Sequence, residues 1–513
     1  MFQPKTTIMS ISLLRTHHRR RLVAGAVGLT GLVTYDRVSS DSSHDGGDGE
    51  RGDGASSGDG DTERKAASTA ATEAQPVRHA DEFGTVVDAA ESGADSTGEV
   101  PINEFLERNA ADDPLLSFAS GTYLLSPINL VGYDNLGVAA AHEERPTFVA
   151  PASSCTDTDP HVQFDDVTDF LLEGIDFDFR REGAGGAINV IASGDATVRD
   201  VTARGTCRMQ VAMFRMDIRN PEGTGLVERL RIRDDQSSTW MTGGYVGEKH
   251  SGSVTFRECD FGEFTDNGLY GSTPGVPGGG GGAVHTEDSK YRNNNVSNIR
   301  LGTPGSTSKG DTIVVESAPE AESLNLRGIR FRRGAGQLVE DCDIHFGPSV
   351  TESFAAIVYH SDNAGARVAD SHVTMDSDTI PAIRAYHHSE DTDSAPTFEN
   401  VTVDGDASRG AAVRIDGRDG TVFRNCTIEQ SGLIRDGIRL SYSDDCELID
   451  SRIDVSGFPL VLRDSTLTVR NTTFVTPNGE RHVDEMEAGP GDFRPEAWDS
   501  EPESEGGNES TVP

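Results

Sequence analysis

A seven-residue window in one register recurs eleven times along this chain, and it limits the possible folds more than any other feature. In its last four copies the second and seventh places are apolar, the fourth is Asn or Asp and the fifth is small or apolar: TFENVTV from Thr397, VFRNCTI from Val422, ELIDSRI from Glu447 and TVRNTTF from Thr468. Their starts are 25, 25 and 21 residues apart, a period typical of stacked repeats.

Seven looser copies precede these four: LLEGIDF from Leu171, TVRDVTA from Thr197, LVERLRI from Leu226, TFRECDF from Thr255, HTEDSKY from His285, LVEDCDI from Leu338 and RVADSHV from Arg367. The widest gap between copies separates His285 from Leu338, and SLNLRGI from Ser323 is a candidate for a degenerate copy there.

The window has the pattern of two short strands joined by a bend. Asn and Asp tolerate the left-handed backbone that such a bend requires. The roughly 15 residues before the next copy leave room for a third strand with its loops. We therefore predict an all-β fold, a right-handed parallel β-helix. A β-sandwich does not repeat one register so often, and propeller blades need roughly 40 to 50 residues each.

The charge balance is strongly acidic, with 85 Asp and Glu against 45 Lys and Arg and a net charge of −40. Such an excess keeps a folded surface hydrated in high salt, where repulsion between like charges is screened. It resembles the composition of proteins from extreme halophiles, and an ordinary acidic secreted protein is the alternative. The charge argues against nucleic acid as a partner, because contacts with phosphate dominate that kind of binding.

The N-terminus has the pattern of a targeting segment. Arg19 and Arg20 precede the apolar run Leu22–Val33, which is too short to span a bilayer, and together they resemble a twin-arginine export signal. We expect a secreted or cell-surface protein, tethered to the membrane if the signal is not cleaved, and a monomer. The predicted organisation is a signal segment at 1–35, a disordered Ser/Gly/Asp linker at 36–80, the β-helix domain at 81–478 and an acidic disordered tail at 479–513.

The start of the folded region resembles a known superfamily. GADSTGE from Gly93 is followed by an amphipathic stretch, Ile102–Ala110, which we expect to form a short helix capping the apolar end of the rod, and then by SFASGTYLL from Ser117. This order is similar to the opening of the pectate-lyase-like β-helix superfamily. The resemblance covers about Phe83 to Val475. It implies a carbohydrate-active protein, in which lyases use a basic side chain to remove the proton beside a uronate carboxylate, often with calcium.

Six further strands align with one another between the later windows: SNIRLGT from Ser297, AAIVYHS from Ala355, PAIRAYH from Pro381, AAVRIDG from Ala411, DGIRLSY from Asp436 and FPLVLRD from Phe458. Because side chains alternate across a strand, one set of positions must face outward. The first predicted outward row is Arg300, Val358, Arg384, Arg414, Arg439 and Val461. The second is Gly302, His360, Tyr386, Asp416, Ser441 and Arg463.

Arginines on successive coils would stand about 5 Å apart and repel one another unless an anion lies among them. A bound acidic sugar chain could supply that anion through its carboxylates. The candidate catalytic residues are Arg384, Arg414, Asp416 and His360. The candidate substrate-binding residues are Arg300, Tyr386, His387, Arg439 and Arg463. A salt-bridged strand face without a ligand is the alternative for these positions.

The function expected from this pattern is polysaccharide binding by an exported β-helix protein, with a uronate-polymer lyase or a related carbohydrate-active enzyme as its catalytic form. The alternative is a non-catalytic adhesion or spacer module at the cell surface. The sequence has neither the Gly-His-Gly segment of polygalacturonases nor the Arg-x-Pro-x-x-Arg element of pectate lyases.

Three remaining features are less specific. The six cysteines have no metal-binding spacing, and Cys259, Cys342 and Cys426, at the fifth place of their windows, are interpreted as small buried residues. Calcium is an open candidate, with loose carboxylate pairs at Asp165, Asp166, Asp176 and Asp178. The glycine-rich loop from Gly271 to Val284 is interpreted as a mobile excursion from the rod.

Overall fold

The computed structural model describes residues 77–156, 160–205, 212–233, 241–321, 324–388 and 395–475 together with the strand Glu509–Val512. All of them belong to the unit Glu73–Pro513. The predicted fold is confirmed: the chain forms a right-handed parallel β-helix of about 12 turns. Within the described residues, no helix is long and apolar enough to cross a membrane. The signal segment and most of the predicted linker and tail lie outside them.

Each coil contributes one strand to each of three walls, so strands that are far apart in sequence become neighbours. The strands of wall 1 are Thr85–Asp88, Pro114–Phe118, Gly137–Ala140, Phe170–Glu173, Ala196–Arg199, Thr224–Glu228, Ser253–Arg257, Ala283–Glu287, Thr307–Lys309, Gly334–Glu340, Asn363–Ala369, Thr397–Glu399, Val422–Arg424, Cys446–Ile449, Leu467–Arg470 and Glu509–Val512. The last of these pairs antiparallel with Leu467–Arg470, whereas the other strands pair in parallel.

Walls 2 and 3 follow wall 1 in each coil. The strands of wall 2 are Thr97–Pro101, Thr122–Leu124, Thr147–Val149, Asp176–Asp178, Thr202–Arg204, Arg231–Arg233, Asp260–Gly262, Lys290–Arg292, Thr312–Val315, Asp343–Phe346, His372–Met375, Thr402–Asp404, Thr427–Gln430, Arg452–Val455 and Thr473–Val475. The strands of wall 3 are Ile128–Val131, Val162–Val167, Ile188–Ala192, Ala212–Ile218, Thr242–Tyr245, Asn267–Gly271, Ser297–Leu301, Leu326–Phe331, Ser353–Tyr359, Ile383–Ala385, Ala411–Asp416, Asp436–Ser441 and Leu460–Arg463.

The repeated window forms the corner between walls 1 and 2. Its fourth residue has a positive φ in all eleven predicted copies, including Asn400 at 55° and Asn425 at 52°. At this point the Asn425 amide also donates 2.7 Å to Oδ1 of Asn400 on the preceding coil. A twelfth copy begins at Thr307 and bends at Gly310, where φ is 64°. The proposed copy from Ser323 is therefore wrong, since that stretch leads into a strand of wall 3.

The core fills the space between the walls. The second place of the window points inward, as in the stacked rings of Phe398 and Phe423, whose centroids are 4.9 Å apart. Cys259, Cys342 and Cys426 are buried free thiols, as predicted. Cys155 is disulfide-bonded, which the cysteine spacing did not indicate.

The N-terminal end of the rod is closed by the helix Asn103–Asn109, as expected. Phe105 and Leu106 of this helix are buried, and the Phe105 ring lies edge-on to Phe118 at 5.7 Å. The helix thus covers the apolar interior of the first coils.

The glycine-rich loop is not a loose excursion. It contains the 3-10 turn Thr273–Gly275, and the Gly280 amide donates 2.8 Å to the Glu248 carbonyl oxygen. A Cβ at Gly280 would lie 2.2 Å from the carbonyl oxygen of His250. Glycine is required here because two backbone segments touch, so the loop is packed against the rod, and its mobility stays a prediction.

Candidate functional site

The first predicted outward row lies on wall 3 in the predicted register. Arg384, Arg414 and Arg439 pair directly with one another on three successive strands, and Val358 and Val461 flank them. On the other side of Val358 the row continues through Arg330 to Arg300. We call the five cations Arg300, Arg330, Arg384, Arg414 and Arg439 the arginine row.

The second predicted row also exists. Asp416, Ser441 and Arg463 are paired on adjacent strands. His360 and Tyr386 continue the row beyond the ends of their strands, because their amides donate to carbonyl oxygens of the preceding coil at 3.1 Å and 3.0 Å. Wall 3 therefore brings four of the predicted site residues, His360, Tyr386, Asp416 and Arg463, into one line beside the arginine row.

Four of the five cations in the arginine row form no ion pair with the protein groups that the structure describes. Within those groups, Arg300, Arg330, Arg384 and Arg414 form no ion pair, and the buried Nε atom of each has no hydrogen-bond partner. Arg439 has a carboxylate oxygen of Asp436 at 3.6 Å. This face is a concentration of positive charge on a chain whose net charge is −40.

Arginines on wall 1 are arranged differently. The guanidinium of Arg257 lies 2.6 Å from Glu228, that of Arg229 lies 2.8 Å from Asp200, and that of Arg367 lies 2.6 Å from Glu399. These pairs bridge neighbouring coils. Ion pairs also occur on wall 3, as between Arg215 and Asp217, but Arg300, Arg330, Arg384 and Arg414 have none within the described chain.

Burial perturbs several members of the row. Burial, together with the positive charges of Arg327 and Arg300, lowers the pKa of Arg330 to about 9. Burial likewise lowers the pKa of Arg300 to about 10 and places the pKa of Arg414 below its ordinary value. These groups stay charged at neutral pH, but their charged form is less stable than in water.

Aromatic rings are interleaved with the guanidinium groups. The guanidinium carbon of Arg300 lies 4.0 Å from the ring centre of Tyr270, and that of Arg384 lies 4.4 Å from the ring centre of Tyr386. Phe354, with 37% of its surface exposed, is 4.3 Å from the guanidinium of Arg327. Such contacts hold flat cations and rings in place on an open face.

His360 belongs to a hydrogen-bonded group rather than standing alone. Its Nδ1 donates 2.8 Å to Asp362, whose carboxylate also accepts from Arg332 at 2.7 Å. The bond with Asp362 acts to raise the pKa of His360, but burial and the charges of Arg332 and Arg330 outweigh it, so the pKa lies below its ordinary value. With Nδ1 bonded to Asp362, the second ring nitrogen, Nε2, is left as the atom that can accept a proton.

The remaining predicted residues lie at the margins. His387 is exposed and packs its Nδ1 close to Gly417. Arg463 is exposed on the last strand, 5.3 Å from the ring centre of Tyr442. Sequence reasoning missed Arg330, Arg327 and the rings of Tyr270 and Phe354.

Three of the carboxylates considered for calcium are paired with arginine side chains: Asp165 with Arg219, Asp176 with Arg145 and Asp178 with Arg180. Among the residues for which coordinates are described, no group of three His, Cys, Asp or Glu side chains is arranged to hold a metal ion.

The chain was compared with known proteins. No protein-family model and no curated protein matches it. Several solved structures resemble it, including the following three. The catalytic unit of a GH87 alpha-1,3-glucanase from Streptomyces thermodiastaticus is 12% identical over 78% of this chain and 69% of that one, with a TM-score of 0.43. A surface protein and adhesin of Streptococcus pneumoniae is 12% identical over 78% of this chain and 99% of that one, with a TM-score of 0.40. The A-module of a mannuronan C-5 epimerase from Azotobacter vinelandii is 11% identical over 69% of this chain and 98% of that one, with a TM-score of 0.39. Likenesses of this size do not indicate what this chain does.

Proposed function

We propose that wall 3 binds an acidic polysaccharide along the arginine row. The observation that carries this proposal is that Arg300, Arg330, Arg384 and Arg414 form no ion pair within the described residues and that their buried Nε atoms have no hydrogen-bond partner. Half-buried cations that repel one another reduce the stability of a fold unless an anion is supplied. A polymer with carboxylates along its length would supply one to several coils at once, held by guanidinium forks.

The aromatic groups support a sugar rather than a simple polyanion. The rings of Tyr386 and Phe354 lie 6.2 Å apart on the same face as the arginines. Sugar rings have apolar faces, and exposed aromatic side chains commonly provide the matching surface in binding sites. A ligand with both sugar rings and carboxylates uses both kinds of group on wall 3.

Binding should be measured with the purified full chain in a fixed, high salt concentration. The ligands are a panel of uronate polymers and a neutral glucan of similar length, and calorimetry measures the affinity for each. We expect saturable binding of at least one uronate polymer and none of the glucan. Equal binding of charged and neutral polymers, or no binding of any acidic polymer, would count against the proposal.

A catalytic form of this function is the second candidate, and the His360–Asp362 pair favours it. Nε2 of a neutral His360 would take the proton from the sugar carbon beside the carboxylate. The bond from the neighbouring carbon to the linking oxygen would then break, a carbon–carbon double bond would form, and the hydroxyl of Tyr386 would protonate the leaving oxygen. Arg384 and Arg414 would bind the carboxylate during this step, and Asp416 would orient Arg414. The hydroxyl of Tyr386 is buried and has no partner in the described chain.

The same polymer panel tests this step, because an elimination creates products that absorb ultraviolet light. We expect His360→Gln to abolish product formation while leaving polymer affinity within about threefold. Arg414→Ala should weaken both. Affinity without any product from any polymer would leave the non-catalytic alternative, a surface or adhesion module.

We also propose that the protein acts outside the cell, either secreted or tethered at the surface. The support is the twin-arginine-like N-terminus together with an acidic composition suited to a salty exterior. Detecting the chain in the culture medium or on the cell surface, with loss of export when Arg19 and Arg20 are replaced by Lys, tests this proposal. A chain that stays in the cytoplasm would contradict it.

A further inference from the structure

Two arginines near the middle of wall 3, Arg300 and Arg327, are more deeply buried than the other arginines of that face, and the half-buried Arg330 is their neighbour. Arg300 has 7% of its surface exposed and Arg327 has 4%, and Arg330 lies beside them. The Nε atoms of all three are buried and lack a hydrogen-bond partner in the described chain. A cation removed from water without a counterion costs free energy, so three together indicate a site for an anion that comes from outside the chain.

The three side chains form a cluster rather than a line. Arg300 and Arg330 are paired on adjacent strands, and Arg327 precedes Arg330 by three residues on the same strand, Leu326–Phe331. Each is close enough to the others to act on their charge, since Arg327 and Arg300 are the two cations that most lower the pKa of Arg330.

Neighbouring groups hold the cluster in place. Nη1 of Arg327 donates to the carbonyl oxygens of Val296 at 2.8 Å and Asn325 at 3.1 Å. The rings of Phe354 and Tyr270 pack on Arg327 and Arg300. The guanidinium groups are thus oriented before any ligand arrives, which lowers the entropic cost of binding.

The number of donors indicates the kind of anion. A carboxylate has two oxygens in one plane, and this shape matches one guanidinium fork best. Three forks that approach from two strands and from different positions along them require oxygens that point in more than two directions. Sulfate and phosphate groups have that geometry, and a phosphate monoester also carries more than one charge near neutral pH.

We infer that Arg300, Arg327 and Arg330 form a subsite for a tetrahedral oxyanion, either a free sulfate or phosphate ion or the same group as an ester on the bound polymer. In its ester form this inference rests on the proposed function and deepens it. The polymer would then carry sulfate or phosphate substituents in addition to carboxylates.

The full chain should be titrated with sodium sulfate, sodium phosphate and sodium acetate at constant sodium chloride, following heat of binding and unfolding temperature. We expect sulfate or phosphate to bind saturably and acetate at least tenfold more weakly. Arg330→Met should lose at least tenfold in affinity for the oxyanion, and Arg330→Lys should recover part of it because it restores charge without the fork. Arg229→Met, which removes a paired cation on wall 1, should bind like the wild type.

A second arm uses one acidic polymer in sulfated and desulfated forms. If the sulfated polymer binds more tightly and Arg330→Met removes this difference, the subsite binds the ester. If the free oxyanion binds but the two polymer forms have equal affinity, the subsite binds the free ion. The inference would be overturned if acetate bound as tightly as sulfate. It would also be overturned if the wild type and Arg330→Met bound the oxyanion with equal affinity, because this would indicate an adventitious ion only. If the inference is overturned but uronate polymers still bind, the proposed function remains supported. If no acidic ligand binds, both the inference and the proposed function are rejected.

Discussion

Arg384 and Arg414 occupy directly paired positions on adjacent strands of wall 3, and within the described chain neither forms an ion pair. Because neighbouring strands are about 4.8 Å apart, the two paired arginine side chains leave the backbone close to each other. A protein with 85 carboxyl side chains could have placed one between them. Wall 3 instead leaves these two charges without an ion pair, and this departure from the pairing on wall 1 is what a binding face for an anion requires.

The first prediction is that removing one of these charges stabilises the unliganded protein. Arg414→Met keeps the apolar stem and removes the repulsion from Arg384 and Arg439, so the free energy of unfolding should rise by about 1 kcal/mol. Arg257→Met is the matched control, because it breaks the ion pair with Glu228 and should lower that free energy. Denaturant unfolding at low salt measures both. A loss of stability in Arg414→Met as large as in the control would contradict the prediction.

The second prediction concerns the bend of the repeated window. Asn425 has φ 52°, so Asn425→Ala should destabilise the fold by about 1 to 2 kcal/mol, since alanine is strained in this conformation and the amide bond to Asn400 is lost. Asn425→Gly separates the two causes, because glycine adopts the conformation freely and lacks only the amide. Thermal unfolding should rank the wild type first, the glycine variant second and the alanine variant last. If alanine matched glycine, the backbone argument would fail.

The third prediction is a pH dependence that arises in the core. Asp311 is fully buried and accepts hydrogen bonds from Ser308 and from the Ser289 amide, and burial raises its pKa to about 7. The folded state then holds a proton that the unfolded state releases near pH 4. Stability from this group is complete below about pH 4 and is lost as the pH rises towards 7.

Asp311→Asn should remove this dependence. The free energy of unfolding of the wild type should fall relative to the variant by up to about 1.4 kcal/mol per pH unit between pH 4 and 7. The surface variant Asp464→Asn controls for the loss of one negative charge. Parallel curves for the wild type and Asp311→Asn across this range would refute the assignment.

The fourth prediction concerns a buried arginine with a structural role. Arg435 is fully buried, and its guanidinium donates to Gln430 Oε1 at 2.8 Å and to the carbonyl oxygens of Arg409 and Ile380 at 2.7 Å and 2.8 Å. Arg435→Met would leave these three acceptors unpaired, and we expect a loss of about 3 to 5 kcal/mol. The exposed Arg424→Met should change stability by less than about 0.5 kcal/mol. Chemical unfolding compares them, and a small effect at Arg435 would contradict this role.

The sequence predicts the scaffold well because the scaffold is periodic. Each copy of the window needs a residue that accepts a positive φ, and Asn400, Asn425 and Asp450 show this in the sequence itself. Strand alternation then places Arg384 and Arg414 on one face, which the register confirms.

The details of the site depend on contacts that have no period. Arg330 was missed because the stretch before it was aligned with the window instead of with wall 3. The bond between His360 and Asp362 joins residues two apart in a turn, and the stacking of Arg327 on Phe354 joins two coils. Aligning the repeats within one sequence does not reveal which guanidinium groups lack an ion pair with a carboxylate, because this depends on the position of every neighbouring side chain.

The most direct test of the central claim is the affinity of a uronate polymer for two triple variants, measured by calorimetry in the same high-salt buffer. One variant carries Arg384→Gln, Arg414→Gln and Arg439→Gln on wall 3. The other carries Arg199→Gln, Arg229→Gln and Arg257→Gln on wall 1 and loses the same net charge. We predict that the wall 3 variant loses at least a hundredfold in affinity, while the wall 1 variant stays within about threefold of the wild type. Equal losses in the two variants would show that the affinity depends on net charge and not on the position of the arginines, and would contradict a binding face on wall 3.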